Sequence, residues 1–146
     1  MKVKDLMRTH VVTLHFTDTL SVAEDIMSMG RIRHLPVLDG VNRVVGVVTQ
    51  RDLYKASISS VLGFHPAKEH EWLGKVKVQD VMNKTVTMIG PEAGIVEAVD
   101  KMVTEKIGCL PVVDEQGKLM GLLTETDCLR CFGDLLKMGT FKDTLS

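Results

Sequence analysis

A seven-residue stretch that occurs twice constrains the fold of this chain more than any other feature. The first copy spans residues 46–52 (Gly-Val-Val-Thr-Gln-Arg-Asp), and the second spans residues 121–127 (Gly-Leu-Leu-Thr-Glu-Thr-Asp). Each copy has the pattern of an apolar strand with one glycine, followed by a Thr-x-x-Asp that begins a helix. If the copies are equivalent, the chain is a tandem repeat, and a ligand site in one copy has a counterpart in the other.

Other short motifs recur in the same register. Residues 5–7 (Asp-Leu-Met) return as residues 80–82 (Asp-Val-Met), an offset of 75 (80 − 5). At that offset residues 35–37 (Leu-Pro-Val) return as residues 110–112, again without a gap. A fixed register of this kind is the signature of internal duplication. The predicted organisation is a first repeat (1–55), a helical insert (56–75), a second repeat (76–132) and a C-terminal tail (133–146).

Hydrophobic periodicity and the positions of turn-forming residues predict the same β-α-β-β-α order in each repeat, and therefore a mixed α/β (α+β) fold. Pro36, inside the second strand of the first repeat, indicates an edge strand or a first strand position. In the insert, residues 63–66 are predicted to break a helix and residues 68–73 to form a short one. The predicted strands are 11–14, 35–38, 44–49, 86–88, 110–113 and 119–124; the predicted helices are 20–29, 52–62, 95–104 and 127–136.

Composition excludes several classes of protein. The 146-residue chain is 45% hydrophobic and 25% charged, with a formal net charge of −1, which argues against coating nucleic acid or an anionic membrane. No apolar run reaches the ~18 residues of a spanning helix, and the start lacks the apolar core of a signal peptide. Three cysteines give no disulfide framework. We expect a cytoplasmic protein.

Aromatic residues make up only 4% of the chain, whereas nine residues are methionine. Unbranched, polarisable methionine side chains fill irregular gaps in a core. We therefore expect Met27, Met29, Met102 and Met120 to pack inside the protein rather than to form a docking surface.

The Thr-x-x-Asp motif has two interpretations. In the first it is a capping box, in which the Thr hydroxyl and the Asp carboxylate bond each other's backbone N–H and contribute about 1 kcal/mol. In the second it binds a ligand, because Gly46 and Gly121 mark close approach of a ligand or of another backbone segment. An Asp at a strand-to-helix junction accepts hydrogen bonds from a ribose diol, and Arg51 would bind a phosphate there.

These motifs resemble the cystathionine-β-synthase (CBS) domain: Asp-x-Met, Leu-Pro-Val, and Gly-h-h-Thr-x-x-Asp, where h is apolar. Two such domains in tandem resemble a Bateman module, and the resemblance covers residues 2–130. It implies a stand-alone, bacterial-type CBS protein whose two β-α-β-β-α repeats pack sheet to sheet about a pseudo-two-fold axis. It also implies two clefts that bind AMP, ADP, ATP or S-adenosylmethionine, energy sensing, a homodimer and a regulated effector protein.

The resemblance also assigns nucleotide-binding positions. In the first repeat, Thr49 and Asp52 match the ribose-binding positions, and Arg51 matches a phosphate contact. Val12 and Thr13 match the strand beside the base. The segment that flanks the nucleotide corresponds to Arg33, His34 and Pro36. In the second repeat the matching positions are Thr124, Asp127, Thr87, Gly108 and Pro111. Thr126 replaces Arg51, so we expect the second site to be poorer in cations and the first to hold a phosphorylated ligand better.

Alternatives to a nucleotide sensor remain open at this stage. No Ser-His-Asp, P-loop or GxGxxG motif is visible, so we expect no catalysis and a regulatory output. The runner-up is a structural dimerisation module whose clefts bind nothing. A third reading is a metal or redox sensor that uses Cys109, Cys128 and Cys131, although Cys-x-x-Cys in a predicted helix favours two reduced thiols and no metal site.

Overall fold

A computed structural model of the protein describes residues 1–58 and 66–139. Helices and strands are mixed in two small sheets, which confirms the α+β prediction. The elements in chain order are α1 (Val3–Leu6), β1 (Leu14–His15), α2 (Leu20–Gly30), β2 (His34–Leu38), β3 (Val44–Thr49), α3 (Gln50–Ile58), α4 (Pro66–Leu73), α5 (Val78–Val81), α6 (Ile95–Glu105), β4 (Cys109–Val113), β5 (Leu119–Thr124) and α7 (Glu125–Lys137).

The described residues form two compact units, and each unit contains the N-terminal segment of the other repeat. The first-repeat unit comprises Val12–Val86 and Gln116–Lys118; the second-repeat unit comprises Met1–Val11, Thr87–Glu115 and Leu119–Ser146. Each unit has its own buried apolar cluster. No described helix combines the length and the apolarity needed to span a membrane.

In the first-repeat unit, β2 is the middle strand of the sheet β1-β2-β3. The expected edge or first position for Pro36 is therefore wrong. Leu14 of β1 pairs in parallel with Val37, immediately after the proline. Because Pro36 has no N–H, the parallel ladder cannot extend further towards the start of β2. This is why residues 11–13 are not part of the strand as predicted.

The second-repeat unit shows the same effect more strongly. Its sheet contains β4 and β5, and the predicted strand at residues 86–88 is absent. On the other side of β4, Ile89 forms an isolated bridge, donating its N–H to Pro111 O (3.1 Å) and accepting from Val113 N (3.0 Å). Pro111 has no N–H with which to extend the ladder, and the next turn contains Pro91, whose carbonyl accepts from Lys4 N (3.0 Å).

The glycine of each motif allows another backbone segment to approach its strand. A Cβ on Gly121 would lie 2.7 Å from Arg8 O and 2.7 Å from Met7 Sδ. A Cβ on Gly46 would lie 2.5 Å from Met82 Sδ and 3.1 Å from the carbonyl oxygen of Asn83. Of the two predicted causes, a ligand or a backbone, the structure supports the backbone: the Asp-x-Met segment of one repeat lies on the glycine of the other repeat's strand.

The methionine prediction is half right. Met27 and Met102 are buried in α2 and α6 at equivalent positions. Met29, by contrast, is 83% exposed because it lies two residues after Met27, on the opposite side of the helix. Met120 is also exposed, since neighbouring strand residues alternate between the two faces of a sheet and Leu119 and Gly121 take the other face.

The insert helix α4 packs against α2 and α3 in the first-repeat unit. Its last residue, Leu73, is fully buried in that unit's core, while Trp72 beside it is 46% exposed. Of the predicted helix break at residues 63–66, residues 63–65 lie outside the described residues and Pro66 begins α4; residues 140–146 of the predicted C-terminal tail also lie outside them.

Candidate functional site

The β2–β3 ladder brings the predicted residues of the first repeat to one end of the sheet. His34 pairs with Thr49, and Gln50 N donates to Arg33 O at 2.9 Å. The side chains of Arg33 and Arg51 are both exposed there. Val12 and Thr13 precede β1, and since β1 is parallel to β2 they lie towards the same end. Pro36 is fully buried one step further along the strand.

The equivalent residues of the second repeat meet in the same way. Cys109 pairs with Thr124, and Glu125 N donates to Gly108 O at 3.0 Å. Pro111 is buried, like Pro36. The hydroxyl of Thr87 donates to Glu105 in α6, which gives that predicted site residue an intramolecular partner.

Both Thr-x-x-Asp motifs are capping boxes in the structure. In the first, Asp52 Oδ2 accepts from Thr49 N (2.8 Å) and Thr49 Oγ1 (2.9 Å), and Asp52 N donates to Thr49 Oγ1 (3.2 Å). Within residues 1–58 and 66–139, no donor bonds to Oδ1 of Asp52. The box therefore orients the carboxylate and leaves one of its oxygens available.

In the second motif both carboxylate oxygens are occupied. Asp127 Oδ2 accepts from Thr124 N (3.1 Å) and Thr124 Oγ1 (2.8 Å), as in the first motif. Asp127 Oδ1 accepts from Nε of Arg8 at 2.8 Å, and the guanidinium of Arg130 lies 3.8 Å away. Asp127 is only 5% exposed. A buried carboxylate keeps its charge at low cost when hydrogen bonds and a cation surround it.

The expectation that the second site is poor in cations is wrong at Asp127, where Arg8 and Arg130 both approach the carboxylate. Sequence reasoning missed Arg8 because it compared only aligned positions within each repeat. A signal for it was available: Arg8 directly follows the Asp-Leu-Met motif, and at an offset of 75 its counterpart is Asn83. The sequence alone does not show that this segment packs on the strand of the other repeat.

Two of the three cysteines, Cys109 and Cys128, lie where burial disfavours the thiolate. Burial raises the pKa of Cys109 to about 12, and burial also raises the pKa of Cys128. Thiols of this kind stay protonated at neutral pH, whereas a metal ligand has to be deprotonated. Across the described part of the chain, no cluster of three His, Cys, Asp or Glu side chains has a metal-binding arrangement.

Comparison with known proteins identifies the architecture. A family model described as "CBS domain" matches residues 3–59 and again residues 78–134. A CBS domain-containing protein of Dictyostelium discoideum is 34% identical over 127 residues, which is 87% of this chain and 88% of that protein. Seven further curated relatives, among them inosine-5'-monophosphate dehydrogenases, are longer, and the chain spans 21% to 46% of their length.

Two solved structures are similar along nearly their whole length. A Vibrio cholerae protein provisionally assigned to acetoin utilization (AcuB) superposes with a TM-score of 0.79 and 36% identity, covering 96% of each chain. The CBS domain pair of protein MJ0100, solved with 5'-methylthioadenosine and S-adenosyl-L-methionine, has a TM-score of 0.78 and 25% identity. It covers 92% of this chain and 97% of that one.

Proposed function

The chain belongs to the CBS domain family and contains two CBS domains, and from that premise we propose that it is a regulatory module that binds an adenosyl ligand at a Thr-x-x-Asp motif. The observation that carries the proposal is the state of Asp52. The capping box holds Oδ2, Oδ1 has no partner among the described residues, and the exposed Arg51 is adjacent in sequence.

The chemistry of the first site suits a ribose and a phosphate. A carboxylate oriented by its own helix cap accepts hydrogen bonds from vicinal hydroxyl groups without losing entropy on binding. Arg51 and Arg33 are exposed near the N-terminus of α3, where the positive end of the helix dipole also favours an anion. Adenosine monophosphate, diphosphate or triphosphate combines both groups, and a role in energy sensing would follow from such a ligand.

An uncharged or cationic adenosyl ligand is the second candidate. The MJ0100 domain pair was solved with 5'-methylthioadenosine and S-adenosyl-L-methionine, which carry a ribose and no phosphate. These ligands would use Asp52 in the same way but gain nothing from Arg51. The comparison between phosphorylated and unphosphorylated ligands therefore decides which class the protein senses.

A thermal-shift panel tests the proposal. We expect one of AMP, ADP, ATP and S-adenosylmethionine to raise the melting temperature by several degrees, because a ligand at 100 times its Kd stabilises the folded state by about 2.7 kcal/mol. Cytidine monophosphate, which has the ribose and the phosphate without adenine, is the matched control. No shift with any adenosyl ligand at millimolar concentration would rule the function out.

We propose that the output is a change in affinity for an effector protein, transmitted through the insert. Helix α3, which begins at the ligand-binding motif, contacts the insert helix α4. A ligand shifts such an equilibrium only if it binds one conformation more tightly than the other. Trp72, the only tryptophan, is half-exposed on α4 and would report the shift. Ligand titration should change its fluorescence with the same Kd as calorimetry.

We also propose that the protein is a homodimer, because the second-repeat unit exposes apolar side chains where the first repeat has polar ones. Val103 in α6 and Phe132 in α7 are exposed. At an offset of 75 their counterparts are Ser28 and Ser57. Exposed aromatic and branched apolar residues are typical of protein interfaces. The same surface is what favours the alternative function, a dimerisation module that binds no ligand.

Replacing these residues by their counterparts should dissociate the dimer. We expect Val103→Ser combined with Phe132→Ser to raise the dimer dissociation constant at least thirtyfold, as loss of about 2 kcal/mol at an interface hot spot does. Sedimentation equilibrium measures this. Met29→Ser, which changes a still more exposed apolar residue of the first-repeat unit, should leave dissociation unchanged. A wild-type protein that sediments as a monomer would refute the homodimer.

A further inference from the structure

We propose that Arg8 closes the second site to a ribose, so that each chain binds one adenosyl ligand, at the first site. The inference rests on the proposed function, since it concerns occupancy of the same pair of motifs. It assigns to Arg8, which lies outside both Thr-x-x-Asp motifs, the role of setting how many ligands are bound.

Both carboxylate oxygens of Asp127 already accept hydrogen bonds within the protein. Its Oδ2 accepts two hydrogen bonds from Thr124, and its Oδ1 accepts one from Arg8 Nε at 2.8 Å. The carboxylate is 95% buried under these partners. A ribose diol has to bond to the same carboxylate, so it competes with the Arg8 side chain for Oδ1. Displacing Arg8 would exchange a guanidinium–carboxylate hydrogen bond, in which both partners are ionised, for a hydroxyl–carboxylate hydrogen bond, in which only the acceptor is ionised.

Hydrogen bonds hold the backbone of Arg8 in place. Its backbone N–H and C=O both bond to Leu122, each at 2.9 Å, and its carbonyl lies against the Cα of Gly121. The main chain of Arg8 is therefore fixed beside the strand that leads to Asp127. Only the side chain is free to move, and because it is held so close to the carboxylate, its effective concentration there is high.

The first site differs from the second because the same backbone position carries a different side chain there. Asn83 makes the equivalent pair of backbone bonds with Val47, at 3.1 and 2.9 Å. Its side-chain Oδ1 accepts from Thr85 N at 3.1 Å instead of reaching the aspartate. Asp52 accordingly keeps its second oxygen without a partner among the described residues. One residue in each repeat thus distinguishes two otherwise similar motifs.

A reciprocal exchange of these residues tests the proposal by isothermal titration calorimetry of the full chain with AMP and with adenosine. We expect one ligand per wild-type chain and two per Arg8→Asn chain, with second-site affinity raised at least tenfold. Arg8→Gln, which keeps most of the side-chain length and loses the charge, should also open the second site. Asn83→Arg should weaken the first site at least tenfold for adenosine, which lacks a phosphate to attract the new cation.

The other outcomes contradict one claim or the other. Two equal sites in the wild-type protein would overturn the role of Arg8 and leave the proposed function intact. Weaker AMP binding in Arg8→Asn with adenosine unaffected would overturn it too, since Arg8 would then be a phosphate ligand. Absence of heat with AMP, ADP, ATP, adenosine and S-adenosylmethionine in the wild type and every variant would overturn the proposed function and this inference with it. The melting temperature of each variant verifies that it is folded.

Discussion

Gly121→Ala should destabilise the protein by about 2 kcal/mol, although it adds a single methyl group. The new Cβ would lie 2.7 Å from the carbonyl oxygen of Arg8, a distance that real Cβ atoms essentially never show. Arg8 cannot move away without breaking its two backbone hydrogen bonds to Leu122. The strain therefore falls on main chain rather than on a flexible side chain, which makes it costly to relieve.

Urea denaturation of the wild type and the variant measures the difference in the free energy of unfolding. Gly133→Ala is the matched control, because it adds the same methyl group to the same unit with no heavy atom within 4 Å. Gly133 lies inside α7, so this change should stabilise the protein by about 0.5–1 kcal/mol. Equal stabilities for the two variants would show that the Asp-x-Met segment does not hold the position described.

Asp52→Ala should abolish adenosyl-ligand binding and remove the entire ligand-dependent stabilisation, about 2.7 kcal/mol at 100 times the wild-type Kd. The substitution deletes the only carboxylate of the first motif, including Oδ1, to which no donor bonds among the described residues. Loss of the capping box costs about 1 kcal/mol of stability without ligand. Thermal shift with and without AMP separates the two effects, since the capping loss is present in both conditions.

Asp127→Ala provides the matched control for Asp52→Ala. It destroys an equivalent capping box in the other repeat and also removes the hydrogen bond from Arg8, so it should lower the stability of the free protein by more than the ~1 kcal/mol of the cap alone. Because Asp127 already bonds to Arg8, the variant should keep the wild-type ligand response. A full response in Asp52→Ala would show that the first motif is only a helix cap. A lost response in Asp127→Ala would place the ligand at the second motif.

Much of the fold could be predicted because the signals are local. Residues 44–49 and 119–124 were predicted as strands with the bounds that the structure has. Helices α2 and α6 were predicted within one residue at their C-termini. An apolar run or a period of 3.6 depends only on neighbours in sequence, and so does a capping box four residues long. The duplication doubled each signal, which is why the register could be read without structural information.

The errors have a common origin in pairing. Residues 11–13 and 86–88 have strand composition, but a strand also needs a partner with free N–H groups. Pro36 and Pro111 do not supply them. The methionines at 29 and 120 have core composition and lie on solvent-facing sides of their elements. Composition indicates what a residue tolerates, whereas orientation and pairing depend on the neighbours that folding supplies.

The sequence by itself determined the repeat, its register, the strands and helices within it and the two Thr-x-x-Asp motifs, because covalent neighbours specify all of these. Tertiary structure alone decided that Arg8 bonds to Asp127 while Asp52 keeps one oxygen without a donor among residues 1–58 and 66–139. The reason is distance along the chain: Arg8 and Asp127 are separated by 119 residues. Only the packing of the Asp-Leu-Met segment on Gly121 brings the guanidinium to the carboxylate.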